Sequence, residues 1–151
     1  MTRMPKSIPC RLLVMMLAVC AGGCASSYQV EVKNQTTQPV TLWLTKDGPP
    51  PEEGWYSPEQ LATMPADLRP TYDLAIVPPG RTGATESMSG EFPRGTNPVV
   101  RVYAGAKELF HILEDAKAGK EERIDKVLKK GMNRFVVVEA GDGKIAVEPS
   151  R

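Results

Sequence analysis

Tyr28-Gln29-Val30-Glu31-Val32-Lys33 and, after the polar stretch 34–39, Val40-Thr41-Leu42-Trp43-Leu44-Thr45 decide the fold class. In both runs an apolar side chain recurs at every second position, the pattern of a strand with one buried face. The intervening Asn34-Gln35-Thr36-Thr37-Gln38-Pro39 is polar and ends in proline, so it reads as a turn. The two runs are therefore expected to pair as an antiparallel hairpin. Parity then separates two groups on the second strand. If Val40, Leu42 and Leu44 face the core, Trp43 faces the other way.

The same grammar continues toward the C-terminus. Val99 to Tyr103 is β-branched and aromatic. Phe135 to Glu139 is almost continuously apolar, and Ile145 and Val147 alternate after the tight-turn signal Gly141-Asp142-Gly143. Residues 123–129 suit a helix through Ile124, Val127 and Leu128, or a strand through Ile124, Lys126 and Leu128. The turn-like Gly131-Met132-Asn133 favours the strand. Ten prolines fall between Asp47 and Pro98, and proline cannot donate to a sheet ladder, so most of that stretch is loop or strand edge. Tyr72, Leu74 and Ile76 form a strand stopped by Pro78-Pro79-Gly80, with a weaker strand over Gly83–Met88. Ser57-Pro58-Glu59-Gln60 opens a helix of one or two turns as a capping box with proline at the first helical position. Leu109, Ile112, Leu113 and Ala116 carry the stripe of a second short helix, ended by Gly119. Seven or eight short strands with Gly/Pro turns predict a mainly β fold, an antiparallel two-sheet β-sandwich with one or two helical insertions. It occupies residues 28–149 as a single domain, with a Pro-rich insertion at about 47–71.

The N-terminus has a different grammar. Arg3, Lys6 and Arg11 precede an apolar run, Leu12 to Ala21, and no acid occurs before Glu31. Ten residues are far short of the roughly 20 needed to cross a bilayer as a helix. A basic segment and a short apolar one are the layout of a secretory signal. The following Ala21-Gly22-Gly23-Cys24 resembles the lipobox of bacterial lipoproteins, with Ala21 where that family usually places Leu. The resemblance implies cleavage between Gly23 and Cys24, removal of residues 1–23, and a diacylglyceryl group on the Cys24 thiol. The other reading is an ordinary secretory signal cut after Ala21 or Gly23, leaving Cys24 free. Cys10, Cys20 and Cys24 are the only cysteines, so acylation of Cys24 leaves the mature chain without a thiol or disulfide. Residues 24–27 then form the lipidated cysteine and a short tether, on the order of 10 Å when extended. The domain is held against the membrane. Ala25, rather than Asp, follows the cysteine, which resembles the rule for sorting to the periplasmic face of the outer membrane in two-membraned bacteria. Within the domain, Val77-Pro78-Pro79-Gly80-Arg81-Thr82 and Leu128-Lys129-Lys130-Gly131-Met132-Asn133 share a scheme of strand, glycine turn, strand. They resemble turns of immunoglobulin-like sandwich modules in exported bacterial proteins, a resemblance that implies fold but no activity.

Charge narrows the partners. Losing residues 1–23 removes three of 19 basic residues and none of 18 acidic ones, leaving a mature net charge of −2. Neither nucleic acid nor polybasic docking on anionic lipid fits that balance, so the membrane is held through acyl chains. His111 is the only histidine, placed opposite the apolar stripe of its helix, and metal or triad chemistry needs partners it lacks. Glu52-Glu53, Glu114-Asp115 and Glu121-Glu122 read as solvated faces rather than opposed glycosidase carboxylates. The basic stretch Lys117 to Lys130 is interleaved with acids and reads the same way. Trp43, Trp55 and Tyr56 are open to two readings: an exposed platform for a sugar or peptide, or packing of the Pro-rich loop over Trp43. No cofactor, metal site or catalytic set is expected. The sequence thus predicts a non-catalytic envelope lipoprotein that binds another envelope protein. A carbohydrate- or peptidoglycan-binding role through the aromatics is the alternative, and a protease inhibitor using the Pro-rich loop comes third.

Overall fold

The computed structural model describes residues 25–150 apart from Asp73; the expected signal segment, residues 1–23, and Cys24 lie outside the described residues. Alternation becomes strand where expected, in β1 (Ser26–Asn34) and β2 (Val40–Asp47). Short strands β3 (Ala75–Val77), β4 (Thr82–Ala84) and β5 (Met88–Gly90) follow a helix α1 (Pro58–Thr63). Strand β6 (Asn97–Ala104), helix α2 (Leu109–Ala118) and strands β7 (Ile124–Val127), β8 (Gly131–Gly141) and β9 (Lys144–Pro149) complete the chain. Two sheets result, β4-β1-β8-β9 with β5 also on β1, and β3-β2-β6-β7. They pack as the expected mainly β sandwich of two sheets.

The pairing departs from expectation in two places. β1 and β2 are not a hairpin: they lie in different sheets. β1 pairs in parallel with β8, from Tyr28↔Gly131 to Asn34↔Val137, so that sheet is mixed rather than antiparallel. Alternation specifies which face is buried, not which strand lies alongside, and here residues 35–39 form an arch across the sandwich. The buried Asn34 holds it, its Nδ2 donating to Gln38 O at 2.8 Å and Val77 O at 3.0 Å while Oδ1 accepts from Thr36 N at 3.0 Å. Gly131-Met132-Asn133, expected as a turn, instead opens β8, whereas the hairpin and helix-stop signals act as read. Asp142 and Gly143 both have positive φ, 51° and 73°, as a two-residue turn between β8 and β9 requires. Gly119 closes α2 at φ 63°. The Gly83–Met88 candidate resolves into β4 and β5 on either side of Thr85, whose N–H donates to Val30 O at 2.8 Å. Residues 124–127 are a strand.

Between the sheets sit Tyr28, Val30 and Val32 of β1, Val40, Leu42 and Leu44 of β2, Val100 and Val102 of β6, and Phe135 and Val137 of β8. Each such side chain contributes about 1.5–3 kcal/mol by leaving water. A second apolar cluster lies on the outer face of the β2/β6 sheet, where α1 and α2 cover Trp43 and Tyr103 with Leu61, Ile112 and Leu113. The Tyr72/Leu74/Ile76 alternation shares that outer face: Tyr72 and Leu74 join the cluster, Ile76 is exposed, and the core residue is Val77. The sandwich therefore has a third layer, built from the two helical insertions.

Candidate functional site

Of the two readings open for the aromatics, the structure bears out burial and not the exposed platform. Trp43 and Trp55 are each 1% exposed and lie in different layers. Lys46 N and Thr45 Oγ1 both donate to Trp55 O, at 3.0 and 3.2 Å, which straps the 55–57 segment along the edge of β2. Trp55 turns inward from there. It meets Tyr28 and Phe92 edge-on, with centroids 5.7 and 4.9 Å away, and donates through Nε1 to Ser89 O at 2.9 Å. Trp43 has the outward parity the sequence gives it, but that face is covered. Its ring stacks on Tyr72 at 4.7 Å and 19°, and Nε1 donates to Tyr56 O at 3.0 Å. Tyr56 is half-buried against the same outer cluster. Both indoles thus have a partner for the N–H and none has a free face. Trp43 is covered by α1, α2 and Tyr72 rather than by Pro49–Pro51. Burial raises the Tyr72 phenol well above its ordinary range; its hydroxyl accepts from Tyr56 N at 2.7 Å and donates to Gly54 O at 2.7 Å.

A site the sequence reading passed over lies beside that cluster. Arg101 is opposite Trp43 in the β2/β6 register, so it too projects onto the outer face, where its side chain is only 10% exposed. The capping box of α1 (Ser57 N to Gln60 Oε1 2.8 Å, Gln60 N to Ser57 Oγ 3.2 Å) fixes the first turn that delivers Glu59. Arg101 Nη1 donates to both Glu59 oxygens, at 3.0 and 2.8 Å. Glu121 Oε2 lies 3.5 Å from the same nitrogen, and Asp125 Oδ1 lies 3.9 Å from Nε. Arg123 bonds Glu121 and reaches Glu59 and Asp125 at 3.3 and 3.2 Å. Tyr103 completes the group by donating its hydroxyl to Glu121 Oε1 at 3.2 Å. Glu121 was expected on a solvated face; its side chain is 4% exposed, enclosed by Arg101 and Tyr103 of β6 and by Arg123. Glu52 likewise pairs with the buried Lys46 at 3.8 Å. His111 is exposed, as its helix position implied.

Two guanidinium groups facing three carboxylates compensate one another closely. Burial raises the Glu59 carboxyl, but hydrogen bonds from Arg101 and Ser57 and the Arg101 charge outweigh it and hold it below its ordinary value. Burial pushes Tyr103 up to about 12. A carboxylate kept ionised serves as an acceptor and not as a general acid, the role that needs a raised carboxyl. Arg101 Nε is the one buried side-chain polar atom without a hydrogen bond among the described residues. The Arg101 side chain borders a cleft of about 360 Å³ lined also by Lys46, Ser57, Gln60, Arg123 and Asp125. A second cleft, about 440 Å³, runs along β2 past Leu44, Tyr72, Leu74, Thr85, Glu86 and Met88. Main-chain pairing of β2 with β3 ends at Leu42↔Ala75 and the next backbone bond on that side is Lys46 N to Trp55 O, so the groove follows a gap in the main-chain bonding of the sheet edge. Among the described residues no three His, Cys, Asp or Glu side chains are grouped to hold a metal ion, and no helix is long and apolar enough to cross a membrane.

Comparison with models of protein families, with curated proteins and with solved structures yields no match. Function must be argued from the chain itself.

Proposed function

We propose that the mature chain is a non-catalytic, lipid-anchored module of the bacterial cell envelope that acts by binding another envelope protein. The observation that carries the binding role is the groove beside β2, where the edge of a central sheet goes unpaired between Leu42 and Lys46. An extended segment of a partner protein can supply the missing main-chain bonds there, while Leu44, Leu74 and Met88 offer apolar contacts, the mode known as strand addition. The anchor rests on Ala21-Gly22-Gly23-Cys24 behind a short apolar run. In-cell cross-linking of the lipidated protein, detergent extraction and identification of what comes with it test this reading. A stoichiometric envelope protein, lost on Leu44→Pro or Met88→Glu, is expected; glycan alone or no companion would contradict it.

A second reading has its own observation, the polar cleft lined by Lys46, Arg101, Arg123 and Asp125. A sugar hydroxyl can accept from the partly exposed Arg123 and donate to Asp125 there, which moves glycan recognition from the buried tryptophans to this cleft. Titration with peptidoglycan fragments separates the two readings, since only the glycan reading expects binding that Asp125→Ala abolishes.

A further inference from the structure

Topology fixes which end of the sandwich lies nearest the anchor. β1 begins at Ser26, so the sheet starts two residues after Cys24 and the free tether is shorter than residues 24–27 suggested. Two residues span at most about 7 Å. Gly90 pairs with Ser26 and Gly131 with Tyr28, which brings the starts of β1 and β8 and the end of β5 to one pole. Asp47↔Asn97 and Val99↔Val127 place the end of β2, the start of β6 and the end of β7 at that pole too. Three loops therefore surround the tether: residues 48–54, 91–96 and 128–130. The arches at 35–39, 78–81, 105–108 and 141–143 lie at the opposite pole.

The pole's chemistry is uneven. The basic stretch that read as one solvated face divides in the structure. Lys117 pairs with Glu114 at 2.7 Å and Arg123 joins the cluster on Arg101, but Lys129 and Lys130 stand exposed at the start of β8 with no ion pair among the described residues. On either side of them in sequence, on the outer faces of the two sheets, stand two exposed apolar side chains, Val127 at 61% and Met132 at 42%. Arg94 and Pro93 are exposed on the neighbouring loop. The exposed acids of the pole are Asp47 at the end of β2, Glu53 on the 48–54 loop and Glu91 on the loop that carries Arg94; none lies within 128–130. A corner with lysines flanked by apolar side chains, held within a few ångströms of a bilayer, matches the boundary between phosphate headgroups and acyl chains.

We propose that the corner Val127–Met132 is a membrane-contact face. Lys129 and Lys130 reach lipid phosphates while Met132 and Val127 enter the interface, fixing the sandwich upright with the groove beside β2 running away from the bilayer. This rests on the lipid anchor proposed above, and the test separates the two. The lipidated protein is reconstituted on vesicles of phosphatidylethanolamine and phosphatidylglycerol doped with a nitroxide-headgroup lipid. A thiol-reactive fluorophore is attached at Lys130→Cys or, at the far pole, at Gln35→Cys. Flotation reports the anchor, and quenching reports the orientation. Both variants are expected to float, with the label at position 130 quenched severalfold more than the label at 35, and Lys129→Glu reducing that quenching. Floating protein with equal quenching at the two poles, or quenching indifferent to Lys129→Glu, overturns the contact face alone. Protein that does not float overturns the anchor as well.

Discussion

The two apolar clusters on either side of the β2/β6 sheet are built by opposite routes. The inter-sheet core takes every second residue of four long strands, and each contributes a contiguous apolar stripe. The outer cluster takes Trp43 and Tyr103 from the sheet and covers them with pieces from α1, α2 and the 70s segment. The inner core is almost wholly apolar. The outer layer includes a buried arginine and a buried glutamate side by side. The difference teaches that a strand pattern declares its inner face and leaves the fate of its outer face to distant segments.

The comparison breaks most easily at the two tryptophans. Trp55→Ala removes an inner-core ring and Trp43→Ala an outer-layer one, and each should cost about 3–5 kcal/mol in denaturant unfolding. Were the outer layer a loose cover, Trp43→Ala would cost no more than an exposed substitution, within about 0.5 kcal/mol, and Trp43 fluorescence would be open to acrylamide.

How much of this was legible divides along the same line. The stripes of β1, β2, β6 and β8 are legible because period-2 alternation is local, and so are the Ser57 capping box and the Gly119 stop, each set within four residues. That β1 pairs with β8 rather than β2 is not, since about a hundred residues separate Tyr28 from Gly131 and alternation carries no partner label. Parity placed Trp43 correctly but left its exposure open, because its cover comes from Leu61, Tyr72 and Ile112, distant in sequence. Arg101 had a signal that went unused: it is the lone charge in Val99-Val100-Arg101-Val102-Tyr103, and a charge inside such a run needs a partner. Nothing local names Glu59 and Glu121 as those partners.

The ionic part of the outer layer sharpens the contrast next. Arg101→Met takes one of two cations from the buried Glu121 and leaves Arg123 in place, so the loss should stay below the roughly 3–5 kcal/mol seen when a buried charge loses its whole partner. Adding Glu121→Gln should restore part of it; an additive double variant would mean the two do not act together.

Glycines then probe how tightly each layer is closed. A Cβ at Gly90 would fall 2.7 Å from Trp55 Nε1 and 2.8 Å from the Phe92 ring, so Gly90→Ala should lower stability by about 1–3 kcal/mol by overpacking. At Gly119, on the outer layer, nothing lies within 4 Å and only the positive φ resists, so Gly119→Ala should cost about 1 kcal/mol. Equal melting shifts for the two would deny the difference in closure.

The smallest effect is a pH dependence. The Glu59 carboxyl is held below its usual 4.5, so its contribution is present above that pH and is lost as acidification carries it through the lowered value. Glu59 is partly exposed, so screening keeps the effect modest. Stability measured from pH 6 down to pH 3 (order-of-magnitude limits set by the usual carboxylate range of about 4) should fall more steeply for the native chain than for Glu59→Gln. Parallel curves would remove Glu59 from the acid-sensitive set.

All of these concern the domain, whereas the account of what it does begins at Cys24. Mass analysis of the N-terminal peptide from protein extracted out of cell membranes tests that directly. The account predicts a chain that starts at Cys24 and carries a diacylglyceryl group on its sulfur. A chain starting elsewhere, or one with a free thiol at Cys24, would contradict it.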